Sequence, residues 1–293
     1  MKEYLRIKFR YDYSLRLFKE DEGINLYDQD HKYLQFKVVE IEPSSPKIEE
    51  IKRLREQLLE EEDVNLYWYM DYIRKYSKED LENAELFMMI VRKYFEPMGE
   101  ELGTEYDDSC KCPICGSGIK QITPLYMKKR NNYFKNRDVL TTHAPEIIVS
   151  KKFVDLVKEN NLKGMVFGDV YFGKRLADDC FQLKEEGCEL SISPKTRFGV
   201  DFFNNDEVCP LSGEVFKCPN GDNLGLNIIS EAYVEDSPLI SQYDFFISRQ
   251  TYGVRRGMLH ASHLLFCSPR MKKLMEANHI KGFNFEIAHI VRE

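Results

Sequence analysis

The sequence predicts an α+β fold in which mixed sheets carry packed helices, a zinc-ribbon-like element and a duplicated β-α-β unit. Three observations predict it. Apolar and charged residues alternate at the start of the chain, one 18-residue pattern occurs twice, and a Cys-x-x-Cys-Gly turn precedes its first copy. With 293 residues, the chain is long enough for one large domain or two. We expect an N-terminal α/β region over 1–98 and a second region over 99–293.

Two strands and a helix are expected first. The alternation of apolar and charged residues over 4–13 predicts a half-buried strand and is not the pattern of a signal peptide. A second strand is expected over 33–41. Pro46 then opens a helix whose apolar positions share one stripe: Ile48, Ile51, Leu54 and Leu58. Together these elements predict a sheet with a helix packed on it.

The helix leads into two candidate partner-binding features. It ends in an acidic run formed by Glu60, Glu61, Glu62 and Asp63, and the aromatic cluster that follows comprises Tyr67, Trp68, Tyr69, Tyr72 and Tyr76. Acidic runs are most often solvated helix ends, and dense aromatic residues are more often core than surface. On a surface, however, aromatic residues anchor protein interfaces. The candidate interface is therefore the acidic run together with Tyr67, Trp68 and Tyr69.

A further helix is expected before the cysteine turn. Residues 77–80 are typical of a helix start, and apolar residues at helical spacing over 81–94 predict a helix that stops near Pro97. Later in the chain, the apolar segment 243–247 predicts a short buried strand.

The cysteine turn is half of a predicted zinc site. Cys112-Pro-Ile-Cys115-Gly116 aims two thiolates at one tetrahedral metal position. The other half must come from elsewhere, and Cys209-Pro-Leu-Ser212-Gly213 has the same pattern with serine in place of the second cysteine. Two such turns would form a split zinc ribbon.

The predicted ligands of a structural zinc ion are Cys112, Cys115, Cys209 and Cys218. Serine cannot bind zinc as a thiolate, so Ser212 leaves the second turn incomplete. Cys110 or His143 could complete the set in place of one of these ligands. The alternative is a vestigial ribbon whose thiols are buried and reduced.

The 18-residue pattern runs from Ser150 to Phe167 and again, without a gap, from Ser268 to Phe285. Six positions are identical, namely Ser, Leu, Asn, Lys, Gly and Phe, and each copy follows an apolar run. Serine is a preferred helix N-cap, and glycine commonly ends a helix. Each copy is therefore expected to form a strand, a short amphipathic helix and a strand, as β-α-β repeats over 147–170 and 264–287.

Composition narrows the class of partner. The net charge is −7, which argues against a general nucleic-acid binder and suits a partner protein with a basic surface, although ordinary solubility also explains it. No stretch approaches the roughly 18 consecutive apolar residues of a membrane span. We expect a cytoplasmic protein, whose eight cysteines are metal ligands and buried thiols rather than disulfides. A homo-oligomer is also possible.

No catalytic residue is predicted. His260-Ala-Ser-His263 follows Arg255 and Arg256, but the apolar run after it favours a loop that enters a strand. The chain contains no phosphate-binding P-loop, no GxGxxG turn and no GxSxG nucleophile elbow, and its carboxylates show no spacing that singles out an acid/base pair.

Several segments resemble a family of bacterial proteins that carry two CxxCG motifs, some of whose members are described as immunity proteins of polymorphic toxin systems. The matching segments are 99–104, 112–116, 146–150, 209–213 and 268–285. The resemblance covers most of the chain from about Asn83 onward, and Ser212 departs from the family pattern. It implies a protein that acts by binding another protein.

The predicted function is non-enzymatic: the protein binds and blocks a toxic or defensive enzyme in the bacterial cytoplasm, as immunity proteins do. A phage-encoded inhibitor of a bacterial anti-phage complex, such as a Gabija-type nuclease assembly, would act in the host cytoplasm and have a similar sequence. A metal-dependent hydrolase that uses His260, His263 and the cysteines belongs to a different class. A zinc-ribbon nucleic-acid adaptor is a further alternative, which the negative charge disfavours.

Overall fold

The computed structural model describes residues 1–27, 35–91, 94–95, 98–128, 134–142, 144, 146–199, 202–203, 218, 220–223, 227–252 and 261–292. Strands dominate this part of the chain, and five α-helices accompany them, so the predicted α+β class is confirmed. The chain divides into two compact units, one formed by Met1–Asn83 with Asp201–Asn205 and the other by Ala84–Val200 with Asp206–Glu293. The sequence analysis placed this division at residue 98.

The first unit is an antiparallel four-stranded sheet with helices. Its elements are β1 (Lys2–Arg10), α1 (Tyr11–Ser14), β2 (Ile24–Tyr27), β3 (Gln35–Ile41), α2 (Lys47–Glu61), β4 (Tyr67–Lys75) and α3 (Lys78–Asn83). The strand order is β2-β3-β1-β4. The alternating apolar residues of β1 are buried, and so is the whole predicted stripe of α2. The hydrophobic effect on these two sets of side chains therefore builds the interior of the unit.

The second unit is richer in strands. Its first half contains β5 (Leu86–Val91), β6 (Tyr94–Phe95), β7 (Tyr106–Asp107), β8 (Lys120–Gln121), β9 (Leu125–Met127), β10 (Val139–Thr142), β11 (Ile147–Ser150), α4 (Lys151–Glu159) and β12 (Phe167–Gly168). Its second half contains β13 (Val170–Phe172), β14 (Arg175–Leu176), β15 (Cys180–Leu183), β16 (Glu189–Leu190), β17 (Phe198–Gly199), β18 (Asn227–Ile228), β19 (Ala232–Glu235), β20 (Phe245–Tyr252), β21 (Ser262–Cys267), α5 (Pro269–Ala277) and β22 (Phe283–Val291).

Two sheets form the frame of this unit. One has the strand order β12-β15-β11-β10-β6, and the other has the order β16-β20-β21-β5-β22-β19. A three-stranded sheet, β14-β13-β9, and the two hairpin-like pairs β7-β8 and β17-β18 complete the described strands. The segment 243–247, predicted as a buried strand, contributes its last residues to β20.

The helix predicted over 81–97 is wrong for most of its length. Only α3 is helical, and the chain then forms β5, which lies inside the six-stranded sheet between β21 and β22. The first four residues of β5 are almost completely buried, and a continuous apolar run covered on both faces is typical of an interior strand. Helical spacing arises by chance in such a run, so the periodicity was a misleading signal.

The two 18-residue segments adopt the same local structure. Ser150 caps α4 by accepting a hydrogen bond from the backbone of Phe153, and Ser268 caps α5 by accepting one from Met271, as the sequence predicts. In both segments the flanking strands are parallel and are separated by one antiparallel strand. That strand is β15 between β11 and β12, and β5 between β21 and β22.

The correspondence extends beyond the segments. In the first sheet β10 pairs with β11, and in the second sheet β20 pairs with β21, both antiparallel. A short strand then lies parallel to each of these partners, β6 beside β10 and β16 beside β20. The central strands also share one register, since Leu183 lies opposite Ile147 and Met89 lies opposite Leu265. Five strands of one sheet therefore match five of the other in order and direction.

Two buried aspartates connect the segments to each other. Asp138 accepts hydrogen bonds from the Ser150 hydroxyl (2.8 Å) and from the backbone N–H of Lys281 (2.9 Å). Asp244 accepts from the Ser268 hydroxyl (2.9 Å) and from the backbone N–H of Lys163 (3.1 Å). Each carboxylate thus bonds the helix cap of one segment and the helix exit of the other.

We expect Asp138→Asn and Asp244→Asn each to lower the free energy of unfolding by about 1–3 kcal/mol, because an amide NH₂ group would face a buried donor. Chemical denaturation of the full chain measures the loss. Asp155→Asn is the matched control, since its ion pair with Lys151 is solvent-exposed and such changes stay within about 0.5 kcal/mol. Equal losses at all three aspartates would contradict the role of the buried pair.

Gly164, which follows the helix of the first segment, can be compared with Gly173, another glycine of positive φ. Gly164 (φ +106°) has no room for a Cβ, which would collide with the carbonyl oxygen of Phe245, whereas a Cβ at Gly173 (φ +64°) meets open space. Gly173→Ala should cost about 1 kcal/mol of unfolding free energy through backbone strain alone. Gly164→Ala should cost clearly more, as measured by thermal and chemical denaturation. Equal losses would show that the close approach to β20 is not important.

Candidate functional site

Three cysteines lie together in the second unit. The sulfur atoms of Cys112, Cys115 and Cys218 are all within 4.8 Å of one another, and those of Cys112 and Cys218 are 3.5 Å apart. The residues come from two turns that are distant in the sequence. Their thiols are the described part of the predicted metal site.

The first turn has the hydrogen bonds expected of a cysteine knuckle. The Cys112 backbone N–H donates to the Ser117 carbonyl (2.8 Å), and the Gly116 N–H donates to the Cys112 carbonyl (2.9 Å). The backbone N–H groups of Cys115 and Ile114 donate to the Cys112 sulfur and lower the pKa of that thiol to about 7. Burial raises the pKa of the Cys115 thiol to about 12.

The second turn begins at Cys218. Its backbone N–H donates to the Asp222 carbonyl (2.8 Å), and the Gly221 N–H donates back to the Cys218 carbonyl (2.8 Å). The Asn220 N–H lies 3.4 Å from the Cys218 sulfur. The turn therefore presents one thiol with the backbone support that the first turn gives to Cys112.

Asp222 fastens the two turns together. Its Oδ2 accepts from the Ser117 hydroxyl (2.9 Å) and from the Cys115 thiol (3.3 Å). Its Oδ1 accepts from the backbone N–H (2.8 Å) and the hydroxyl (3.1 Å) of Thr251 in β20. Sequence reasoning missed this residue, whose only signal was its place at the end of a Cys-Pro-Asn-Gly-Asp turn.

Three of the four predicted ligands are therefore brought together. Cys209, Ser212 and His143 lie outside the described residues, and Cys110 is exposed and does not belong to the group of three. Sulfur atoms that bind one tetrahedral zinc ion at about 2.3 Å lie about 3.8 Å apart, close to the separation of Cys112 and Cys218. The donor set can hold a metal ion.

The aromatic cluster of the first unit is partly surface. Tyr72 is buried, as a core assignment predicts, but Trp68 is 61% exposed and Tyr69 45% exposed. Trp68 and Tyr69, two of the three aromatic residues of the candidate interface, lie on the sheet face opposite the buried residues of β1, where a register shift in the β1–β4 pairing interrupts the alternation of sides. The third, Tyr67, lies opposite Phe9 and is half-buried. Across that face, Tyr69 lies opposite Lys8, and Lys8 opposite Val38.

Two further apolar side chains extend this face, which we call the outer face. Ile24 lies opposite Val38 and is 63% exposed, and Leu26 lies opposite Phe36 and is 42% exposed. The Trp68 ring meets Phe36 edge-on, with 5.8 Å between ring centroids. The outer face thus carries an exposed apolar set formed by Ile24, Leu26, Trp68 and Tyr69.

The acidic run at the end of α2 is exposed along its whole length. Glu62 accepts a hydrogen bond from the Tyr13 hydroxyl (3.0 Å) and lies 3.7 Å from Arg16, whereas Glu61 accepts from Gln57 (3.1 Å). These contacts lie within the first unit. The run therefore forms a solvated helix end, the more common outcome for such a sequence.

His263 is one of the two histidines considered for a metal-dependent hydrolase, and the structure describes it. The other, His260, lies outside the described residues together with Arg255 and Arg256. His263 belongs to β21, and its Nδ1 lies 2.5 Å from the Ser248 carbonyl oxygen. A carbonyl oxygen only accepts, so Nδ1 carries a proton, and in the neutral form of the ring Nε2 is an acceptor.

A cavity of about 490 Å³ lies beside the first cysteine turn. Its wall includes Ser117 of that turn, His263, and two carboxylates that sequence reasoning did not single out, Glu146 and Glu185. Glu146 accepts from the Tyr106 hydroxyl (2.6 Å) and from the Gly99 N–H (3.1 Å). Burial raises the pKa of Glu185 to about 8.

Comparison of the chain with protein-family models, with curated proteins and with solved structures finds no match. Among the described residues, no helix has the length and apolar character needed to cross a lipid bilayer.

Proposed function

We propose that this chain is a non-catalytic binding protein that blocks a toxic or defensive bacterial enzyme by docking on it. The exposed apolar set of the outer face carries the proposal. Exposed apolar residues grouped on one sheet face can mark a protein interface, and tryptophan and tyrosine are among the side chains that most often anchor such interfaces.

The surroundings of the anchors favour a partner with a basic surface. The acidic run Glu60 to Asp63 immediately precedes β4, the strand that carries Trp68 and Tyr69, and the whole chain has a net charge of −7. On the outer face itself, Arg6 is paired with Glu40 (2.6 Å), and the Lys8 ammonium lies over the Phe36 ring, 3.9 Å from its centroid. The acidic run and the net negative charge would steer a basic partner, and the aromatic side chains would fill its apolar pockets.

We propose that the cysteine turns bind a structural zinc ion, with Cys112, Cys115 and Cys218 as ligands and Cys209 as the fourth. Soft thiolate donors favour zinc, and the first turn lies between β7 and β8, a position typical of a zinc ribbon. A bound zinc ion would cross-link the two turns and so contribute to folding stability. A hydrolytic zinc would need an open coordination position beside a general base, and the carboxylate that contacts these thiols, Asp222, already accepts hydrogen bonds from Ser117 and Thr251.

We also propose that the second unit contains a duplicated β-α-β unit whose copies exchange a strand. The matched caps, the matched strand order and the paired aspartates support this proposal. The strand β5, which precedes the first segment, lies in the sheet of the second segment. The strand β15, which precedes the second segment, lies in the sheet of the first segment. Such an exchange would make the copies depend on each other for folding.

The zinc proposal predicts about one zinc ion per chain in protein purified without chelator. Cys112→Ser and Cys218→Ser should lower the zinc content and the melting temperature together, because structural metal binding contributes to folding. Elemental analysis and thermal denaturation measure both. Cys110→Ser is the control and should change neither, since Cys110 is exposed and outside the group of three. The site would be rejected if wild-type protein contained no zinc and the cysteine variants had the same melting temperature as the wild-type protein.

The inhibitor proposal predicts that Trp68→Ala and Tyr69→Ala each weaken partner binding by about 2 kcal/mol or more without loss of folding stability. The partner is isolated by affinity purification from the native host, and its enzymatic activity is assayed with each variant. Leu176→Ala is the control, because Leu176 is a similarly exposed apolar residue of the other unit.

Three outcomes would contradict this interface. They are capture and inhibition of the enzyme that survive both aromatic changes, recovery of nucleic acid alone, and recovery only of further copies of this chain. In addition, replacing Glu60 to Asp63 by lysine should slow association and weaken its salt dependence, because charges at an interface border act mainly on the association rate.

A further inference from the structure

The cavity beside the first cysteine turn contains a carboxyl group that lacks a described counter-ion. Glu185 follows β15 and lines the cavity, where it accepts a hydrogen bond from the backbone N–H of His263. Burial opposes its ionisation and raises its pKa to about 8, and no described lysine or arginine offsets that effect. Buried carboxylates in proteins are normally paired with a cation, so a positive charge would complete this site.

His263 contributes a second acceptor to the same wall when its ring is neutral. The bond from Nδ1 of His263 to the Ser248 carbonyl leaves Nε2 of the neutral imidazole as an acceptor, and His263 is part of the cavity wall. A ligand that donates several hydrogen bonds and carries a positive charge would satisfy both groups. Guanidinium and ammonium groups have these two properties.

The other charged and titratable groups of the wall are Tyr106, Lys120, Glu146, Lys184 and Glu186. The Tyr106 hydroxyl and Glu146 bond to each other, and Glu146 also accepts from the Thr142 hydroxyl. Lys120 and Glu186 are exposed. The stem of Lys184 lies against the backbone of Gly168, where a Cβ would contact the Lys184 side chain.

The wall also contains a neutral amide pair. The side chains of Gln121 and Gln182 donate hydrogen bonds to each other (2.9 and 2.6 Å). These hydrogen bonds satisfy both amide groups without a ligand.

We propose that this cavity binds the guanidinium or ammonium group of a cationic ligand, with Glu185 as its counter-ion and His263 as a second acceptor. The site goes beyond the proposed inhibitory function, since it lies in the second unit and takes a different ligand. Two sources share this chemistry, namely a small free amine and an arginine or lysine side chain of a protein. The volume of about 490 Å³ is within the usual range for small-ligand sites.

Binding of the cation requires the ionised form of Glu185. Below the raised pKa the carboxyl is mostly protonated, so a cation that binds at pH 7 must displace a proton, about 0.9 per site for a pKa of about 8. Affinity should therefore rise from pH 6 to pH 8, by up to about tenfold per pH unit while the group is mainly protonated.

The test is isothermal titration calorimetry on the full chain at pH 7, in two buffers of different ionisation enthalpy. The probes are N-acetyl-arginine amide, which represents a protein side chain, and agmatine, which represents a small amine. N-acetyl-citrulline amide is the neutral control of similar shape. We expect saturable binding of a cationic probe with proton release and no binding of the citrulline compound. The stronger of the two cationic probes identifies the source.

Glu185→Gln keeps the shape of the side chain and removes its charge. It should weaken binding about tenfold or more and abolish proton release, whereas Glu186→Gln at the exposed rim, which removes the same charge, should change affinity by less than about twofold. Equal effects of the two substitutions would overturn the proposal, because they would indicate only general attraction. Binding of the citrulline compound, or no binding of either cation, would also overturn it. Circular dichroism confirms that each variant is folded.

Discussion

The second unit depends on two equivalent sets of hydrogen bonds, one made by Asp138 and the other by Asp244. Each buried carboxylate holds the serine cap of one helix and the backbone N–H that follows the other helix. The backbone around each aspartate repeats this link, since Asp138 and Asp244 also donate their N–H groups to the carbonyls of Lys281 and Lys163. Because the two links are reciprocal, neither helical segment can shift without breaking buried hydrogen bonds in both.

This frame positions the candidate sites. Asp244 lies next to the start of β20, the strand that carries Thr251, and Thr251 holds the carboxylate of Asp222. Asp222 in turn accepts from the Cys115 thiol, so the cysteine cluster is linked to β20 through the Asp222 side chain. The neighbouring strand β21 carries His263 into the wall of the cavity. The cysteine cluster and the cavity therefore share one scaffold, and damage to the paired aspartates should affect both.

Individual elements show how far sequence reasoning reaches. The caps at Ser150 and Ser268 and the helices after them were predicted correctly, because capping depends on residues three positions apart. The cysteine turn at Cys112 was found for the same reason. The helix predicted over 81–97 failed because an interior strand and a buried helix share an apolar composition, and only the neighbours β21 and β22 decide between them.

The sequence by itself determined the features that depend on nearby residues: the α+β class, the capped helices of the repeated segments and the first half of the cysteine cluster. Only the tertiary structure decided that Cys218 joins Cys112 and Cys115, that Trp68 faces solvent, and that Glu185 lines a cavity without a described cation beside it. The physical reason is that metal-ligand distances, solvent exposure and the cost of ionising a carboxyl all depend on which distant segments exclude water from a residue, and local patterns do not encode those segments.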